Sequence, residues 1–323
     1  MKSKFKKHLI FIVLLCSLLT IAPISQASTY NFTTLDDPIA KAGSTVATGI
    51  NDSGQITGYY ENATGYLQGF LYNGSTYSTL DSLNTNVGHI IPRDINNSGQ
   101  ITGNYSNGNP SPYGFIYNQG TYSFIDVPPN GLITGINDSG QLTGWFQNNA
   151  DAHGYIFDLN TNTYSTLDFL GGIPSGINNS KQVVGNFGEY DSITNSFTTI
   201  SHPNASTTTF GNGGTFATGI NDRGLVTGFY SYNGQAGHSF IYDGKTYTTF
   251  DDPSSIAQSV YSGGTYAQGI NNIGQVVGYY LDSTGQSHGF LATPAAVPVP
   301  AAFWLFGTTI TFMISFARNK LRS

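Results

Sequence analysis

A ten-residue phrase that recurs six times constrains this chain more than anything else in it. The copies read GINDSGQITG from Gly49, DINNSGQITG from Asp94, GINDSGQLTG from Gly135, GINNSKQVVG from Gly176, GINDRGLVTG from Gly219 and GINNIGQVVG from Gly269. Their starts lie 45, 41, 41, 43 and 50 residues apart. Periods of that size belong to repeat architectures built from one supersecondary unit. Each copy runs Ile-Asn-Asp/Asn and, in most, closes on Gly. Asn and Asp fold their side chains onto their own backbone, and Gly supplies the positive φ that closes a tight hairpin or bulge. The residues that follow, such as Gln55-Ile56-Thr57-Gly58-Tyr59-Tyr60, are β-prone and broken by a glycine. A glycine inside a strand marks a place where another backbone comes close.

Two further phrases complete the unit. One is Gly69-Phe70-Leu71-Tyr72, with counterparts from Gly114, Gly154, Ser239 and Gly289. The other is TYSTLD from Thr76, with TYSFID from Thr121, TYSTLD from Thr163, SFTTI from Ser196 and TYTTFD from Thr246. With the stretch leading into each Gly-Ile-Asn, this makes about four short strands per unit, as in a propeller blade. Nothing between the two terminal segments has helical periodicity. The sixth unit lacks its closing phrase, and that phrase stands at Thr29–Asp36 instead. Residues 269–291 and 28–48 together make 44, the size of one unit. The expectation is an all-β, six-bladed β-propeller of 41–50-residue repeats over residues 28–293, closed by its N-terminal strand. Closure removes the sheet edges that invite aggregation, whereas an open solenoid needs separate caps at both ends.

The two ends have a different character. Lys2, Lys4, Lys6 and Lys7 precede an apolar run from Leu9 to Ile21 and then Ser25-Gln26-Ala27. That is the layout of a secretory signal peptide over residues 1–27, with cleavage after Ala27. Cys16, the single cysteine, lies inside it, so the mature chain has no disulfide and no thiol ligand. At the other end a Pro-rich stretch, 294–300, leads into an apolar run over 301–317 and a basic tail, 318–323, with Arg318, Lys320 and Arg322. A predominantly apolar run of 17 residues, with Trp304 near one edge and cations beyond the other, fits a transmembrane helix with a cytoplasmic stop.

Val297-Pro298-Val299-Pro300-Ala301-Ala302, followed by Trp304-Leu305-Phe306-Gly307, resembles the PEP-CTERM sorting signal in its VPxPAA variant. The resemblance implies recognition by an exosortase, a transpeptidase-like membrane enzyme of Gram-negative bacteria that make exopolysaccharide. The family's usual motif has Glu where this chain has Val299. The route it implies is export, a transient inner-membrane anchor, and transfer to the cell surface or extracellular matrix.

Five cations, Lys41, Arg93, Lys181, Arg223 and Lys245, remain between residues 28 and 297 against all 18 acidic residues, a net charge of −13. Phosphate backbones and anionic lipid repel such a domain, and nucleic acid is excluded as a partner. His153, His238 and His288 share one position, just before the Gly/Ser-aromatic phrase. In this they resemble the extracellular HAF repeat, named for a His-Ala-Phe phrase at that place, which implies an extracellular repeat protein and little more. Equivalent positions in a ring need not converge, so these imidazoles read as structural groups bonded to neighbouring backbone rather than as metal ligands. The Asn-Asp-Ser-Gly turns offer at most one carboxylate each, too few for calcium, which takes six to eight oxygens. The Asp36-Asp37-Pro38 and Asp251-Asp252-Pro253 corners read as strand-ending turns. No catalytic residue, cofactor or metal is expected.

The remaining candidates lie on the surface. Connectors from a closing strand to the next Gly-Ile-Asn phrase are long at 82–93, 201–218 and 252–268, and equivalent connectors fall on one face of a ring. They carry His89, Arg93, His202, Phe210, Phe216, Tyr261 and Tyr266, a candidate set for binding sugars by stacking and hydrogen bonding. Phe216 and Tyr266, equivalent to Val46, also read as core residues of a strand. The expected function is a non-enzymatic binding or structural propeller associated with extracellular polysaccharide. The alternative is a propeller hydrolase or lyase acting on such polymers. A glycosidase needs two carboxylates across a sugar, and the two glutamates, Glu61 and Glu189, fall in non-adjacent units among 16 aspartates.

Overall fold

The computed structural model describes residues 30–80, 88–106, 113–125, 131–148, 151–167, 173–186, 188–206, 213–232, 235–256 and 263–295. The expected signal peptide, Ala27, the sorting motif 297–302, the apolar run 301–317 and the basic tail lie outside the described residues. So do Phe210 and Tyr261. Among the described residues no helix is long and apolar enough to cross a membrane.

The chain forms a six-bladed β-propeller, each blade a four-stranded antiparallel sheet. It opens with β1 (Tyr30–Leu35). The first blade is β2 (Val46–Ile50), β3 (Ile56–Glu61), β4 (Leu67–Tyr72) and β5 (Tyr77–Leu80). The second is β6 (His89–Ile95), β7 (Ile101–Ser106), β8 (Tyr113–Asn118) and β9 (Thr121–Ile125). The third is β10 (Leu132–Ile136), β11 (Gln141–Asn148), β12 (Asp151–Asp158) and β13 (Thr163–Leu167). The fourth is β14 (Pro174–Ile177), β15 (Gln182–Gly185), β16 (Gly188–Asp191) and β17 (Ser196–Thr199). The fifth is β18 (Gly213–Ile220), β19 (Val226–Tyr232), β20 (His238–Tyr242) and β21 (Tyr247–Phe250). The sixth takes β22 (Gly264–Ile270), β23 (Val276–Leu281) and β24 (Ser287–Pro294), and its fourth strand is β1.

That last pairing closes the ring. β1 runs antiparallel to β24 from Tyr30 opposite Pro294 to Leu35 opposite Gly289. Tyr30 stacks on Phe250 at 4.9 Å, and Phe32 meets Phe290 edge-on at 5.6 Å. Leu35 is buried in the first blade's core, so the closing strand binds its neighbours on both sides. His288 Nδ1 lies 2.8 Å from Asp36 Oδ2, tying the end of β1 to β24.

Each core is built from the strand pattern. The third strand of five blades contributes a fully buried aromatic: Phe70, Phe115, Tyr155, Phe240 and Phe290. Thr57, Thr102, Thr143 and Thr227 donate their hydroxyls to the carbonyls of Phe70, Phe115, Tyr155 and Phe240, so these buried polar atoms are satisfied. The strand glycines stand where a backbone crosses closely. A Cβ at Gly58, Gly103, Gly144, Gly228 or Gly278 would overlap a carbonyl oxygen of its blade's innermost strand, and one at Gly185 would overlap the Ile173 carbonyl just before β14. The fourth unit, which lacks the Gly-aromatic phrase, still forms β16 and β17 but puts no large aromatic in its core centre.

One side chain per blade couples turn to ring. Asn51 Oδ1 accepts from the N–H groups of Ser53 and Gln55, which shapes its own turn. Its amide donates to the carbonyl of Asn96 in the next blade at 3.2 Å. Asn96, Asn137, Asn178, Asn221 and Asn271 repeat the bond, and Asn271 returns it to Asn51 at 3.1 Å. All six asparagines are buried.

The next residue forms a second, outer ring in which Asp and Asn alternate: Asp52, Asn97, Asp138, Asn179, Asp222, Asn272. Each backbone N–H donates to the side-chain oxygen of the following member, at 2.7–2.9 Å. Each of the three amides donates to the carboxylates on both sides, at 2.8–3.0 Å. Alternation is what lets every amide find two acceptors and keeps like charges from standing side by side.

Two outcomes follow from these closures. A mature chain lacking residues 28–36 loses three buried or half-buried apolar side chains, about 5 kcal/mol or more. It is expected to aggregate or melt at least 10 °C lower, ~2–4 °C per kcal/mol, in calorimetry. Asn97→Asp places three carboxylates in a row and removes two donated bonds, a loss of about 1–2 kcal/mol. Urea denaturation checks it, and the deficit should shrink in high salt.

Candidate binding face around the central channel

The innermost strand of every blade carries a bulge. In the first blade Ala47 pairs with Gly58 and Gly49 with Thr57, which leaves Thr48 without a partner across the ladder. Arg93, Thr134, Ser175, Thr218 and Gln268 are skipped in the same way. A bulge re-aims the residue it leaves out. All six line one mouth of the central channel, a cavity of about 130 Å3. These residues precede the Gly-Ile-Asn phrase, so this mouth lies at the end where the innermost strands begin.

The six differ in how far their polar groups are committed. Thr48 donates to Pro92 O at 3.1 Å, Thr134 to Thr143 O at 3.2 Å and Thr218 to Ala267 O at 2.9 Å. Arg93, Ser175 and Gln268 make no side-chain hydrogen bond to another described residue. Arg93 Nε is enclosed and unsatisfied, and no carboxylate pairs with the guanidinium among the described residues. Burial lowers the Arg93 pKa, and the Tyr59 phenol beside it offsets this in part.

Below this mouth the channel narrows to a waist where the blades' glycines almost touch. A Cβ on Gly135 would stand 3.1 Å from the Gly176 Cα, and one on Gly176 would stand 3.2 Å from the Gly219 Cα. The second blade alone has a side chain here, Asp94, which borders both the cavity above and the one below. Its Oδ1 accepts from Ile95 N–H at 2.8 Å and its Oδ2 from Ile136 N–H at 3.0 Å. The carboxyl is packed against backbone at the waist, while the residue as a whole is half-buried and borders both cavities. Burial pushes its pKa up to about 7, against the two N–H bonds that lower it and with a smaller upward push from Asp138. The far mouth, about 70 Å3, is framed by the alternating Asp/Asn ring, whose side chains are spent on one another.

An aromatic arc joins the fifth and sixth blades, outside the residues that line the Arg93 mouth. Phe216 stacks on Phe229 at 4.9 Å, Phe229 meets Tyr266 edge-on at 5.1 Å, and Tyr266 stacks on Tyr279 at 4.9 Å. Tyr59 and Trp145 hold the position equivalent to Phe229 and Tyr279 in the first and third blades, and all four are half-buried.

The structure brings some of the sequence-derived candidates together and separates others. Arg93 is at the channel mouth, whereas Phe216 and Tyr266 join through Phe229 in the arc between the fifth and sixth blades. Tyr266 is 6% exposed, with its hydroxyl donating to Gly263 O and accepting from Gly237 N–H, so it is a core group as the strand pattern allowed. His89 accepts from Leu67 N–H and meets Tyr66 edge-on at 5.5 Å, beside its own blade's neighbour. His202 stacks on Tyr230 at 3.6 Å and is 4% exposed. Burial, with a smaller contribution from His238, drops its pKa to about 4. It occupies a corner equivalent to the two Asp-Asp-Pro turns. His202 N–H bonds Thr215 Oγ1 just as Asp37 and Asp252 N–H bond Thr45 and Thr265. The Ser201-His202-Pro203 spelling was the available signal.

The three equivalent histidines are partnered by side chains rather than backbone. His153 stacks on Phe146 at 5.4 Å, His238 pairs with Asp251 at 2.7 Å and His288 with Asp36. The hydrogen bond to Asp251 raises the His238 pKa. Asp94 joins the site although it is no connector residue, and its one sequence signal is that it alone departs from glycine at the head of the repeated phrase.

No family model matches the sequence, and no curated protein matches it. Among solved structures the chain is similar to TolB from Acinetobacter baumannii, with 14% identity and a TM-score of 0.44 over 77% of this chain and 64% of that one. It is similar to a mutant of the Aleuria aurantia lectin in complex with Fucα1-6GlcNAc, with 11% identity and a TM-score of 0.49 over 80% and 98%. An oligogalacturonate lyase in complex with manganese gives 10% identity and a TM-score of 0.43 over 82% and 96%. At these identities the likeness is one of fold, and no ligand or reaction carries over from it.

The raised Asp94 pKa has a sign. Between about pH 4 and 7 the folded chain holds a proton that the unfolded chain has released, so this carboxyl costs stability progressively as pH rises through that window. Asp94→Gly restores the phrase of the other five blades. It is expected to raise the melting temperature at pH 8 and to leave it nearly unchanged at pH 4, read by scanning calorimetry at both.

Proposed function

We propose that this chain is an exported, non-enzymatic β-propeller that an exosortase-type enzyme sorts to the cell surface or matrix, where it holds extracellular polysaccharide. The observation that carries the binding part is the inequality of the two channel mouths. At the Asp/Asn mouth the ring side chains are consumed in holding the blades together. At the other, Arg93, Ser175 and Gln268 make no side-chain bond to another described residue, and the half-buried Tyr59 ring stands by Arg93, polar groups and a ring of the kind that orient sugars. Export and sorting rest on the resemblance of residues 297–307 to the PEP-CTERM signal and on the basic, apolar and small-residue order of residues 1–27.

Glu61 bonds Lys41 at 2.7 Å and Glu189 accepts from Gln182 at 2.7 Å, in blades that are not adjacent, which favours binding over hydrolysis. Fractionation of producing cells tests the sorting. The protein is expected at the surface or in the matrix, and a chain without residues 297–302 is expected to stay in the inner membrane. Pull-down with the producer's own exopolysaccharide is expected to retain the mature protein. Release of reducing ends from that polymer would establish a hydrolase or lyase instead.

A further inference from the structure

We infer that the Arg93 mouth of the channel is a site for a single carboxylate group, such as that of a uronic acid unit. The inference deepens the binding role proposed above and rests on it for the ligand's polymeric source. Arg93 is the guanidinium that the bulge in β6 turns into the lumen, in a ring where the equivalents are neutral: Thr48, Thr134, Ser175, Thr218 and Gln268. Arg93 is half-buried with its Nε enclosed and unsatisfied, and a partly desolvated cation without a counter-ion is unfavourable; nothing on the protein among the described residues supplies one. Tyr59, the titratable group coupled to it, is a phenol whose own pKa burial raises, so it stays neutral.

The neighbouring carboxyl is already engaged. Asp94 is held by Ile95 and Ile136 N–H at the waist, and burial shifts it toward the protonated form near neutrality. An incoming anion therefore meets the guanidinium with uncommitted donors at Ser175 and Gln268. One guanidinium matches one planar carboxylate through paired N–H bonds. A polyanion of higher charge density meets a domain with a net charge of −13 and is repelled. The cavity, about 130 Å3, holds several waters or one carboxylate head with part of a ring. The threonine oxygens, whose protons are already donated to backbone carbonyls, remain acceptors for sugar hydroxyls.

Calorimetric titration of the exported mature protein tests this with D-glucuronate, D-glucuronamide, D-glucose and acetate. D-Glucuronate is expected to bind at least about tenfold more tightly than the two uncharged sugars, and Arg93→Gln is expected to remove that preference. Arg93→Met, which takes the unpaired cation out of the mouth, is expected to melt no lower than the parent, so the loss is not one of folding. Should Arg93→Gln fail to fold, Ser175→Ala with Gln268→Ala is expected to weaken D-glucuronate and leave D-glucose unchanged.

Acetate binding as tightly as D-glucuronate identifies the source as free small carboxylates, and D-glucuronate alone identifies a sugar unit. Equal binding of charged and uncharged sugars, or a charge preference that survives Arg93→Gln, overturns the site. Exopolysaccharide retention that persists in Arg93→Gln overturns the site while leaving the proposed function. Glucuronate binding without polymer retention does the reverse.

Discussion

The amide of one buried asparagine per blade is the interaction on which the ring depends. Its oxygen shapes the hairpin of its own blade and its nitrogen reaches the backbone of the next, so local turn and blade docking are set by the same five atoms. A buried amide with partners on both sides is satisfied, whereas the same amide at an open end would face desolvation unpaired. The relay is therefore complete only when Asn271 finds Asn51 across the closure. That requirement is met because β1 supplies the strand the sixth blade lacks, which brings the first and sixth turns into register.

The rest of the channel is built by repetition and given its chemistry by exception. Six bulges leave six residues facing the lumen, and glycines at the waist let the blades approach to about van der Waals contact. Repetition alone would make a neutral, hydroxyl-lined pore. Both departures fall in the second blade, where Arg93 takes a threonine-type position and Asp94 a glycine position. They do not neutralise each other. Asp94 satisfies inward N–H groups at the waist while Arg93 faces the wider mouth, and the channel acquires an uncommitted donor end and a ring of spent carboxylates at the other.

Much of this was legible in the chain. The period gave the blade count, and the displaced TYNFTTLD phrase gave the closure, because sheet pairing needs a partner strand wherever one is missing. A glycine inside a strand marks a close backbone approach, and each of these stands over a carbonyl in or just before its own innermost strand. The fourth blade kept its strands without its aromatic phrase, since hydrogen-bonded neighbours and the Asp191–Asn195 turn suffice to hold short strands. The candidate site was less legible. His202 belongs to a corner repeated as Asp-Asp-Pro elsewhere, and its ring is packed flat against Tyr230. Position on a long connector marked it as surface, although the corner places it inside.

The sequence by itself determined the repeat, the β character, the turn chemistry and the joining of the two ends, because each depends on residues near one another in the chain or on a strand whose counterpart is absent. The tertiary structure alone decided which side chains face the channel and which of them are already spoken for. A one-residue bulge moves a side chain from one environment to another and leaves no mark in a β-prone stretch. Whether a donor is free depends on partners 40 or more residues away, as the Asp52–Asn97–Asp138 bonds show, and only the closed ring sets those distances.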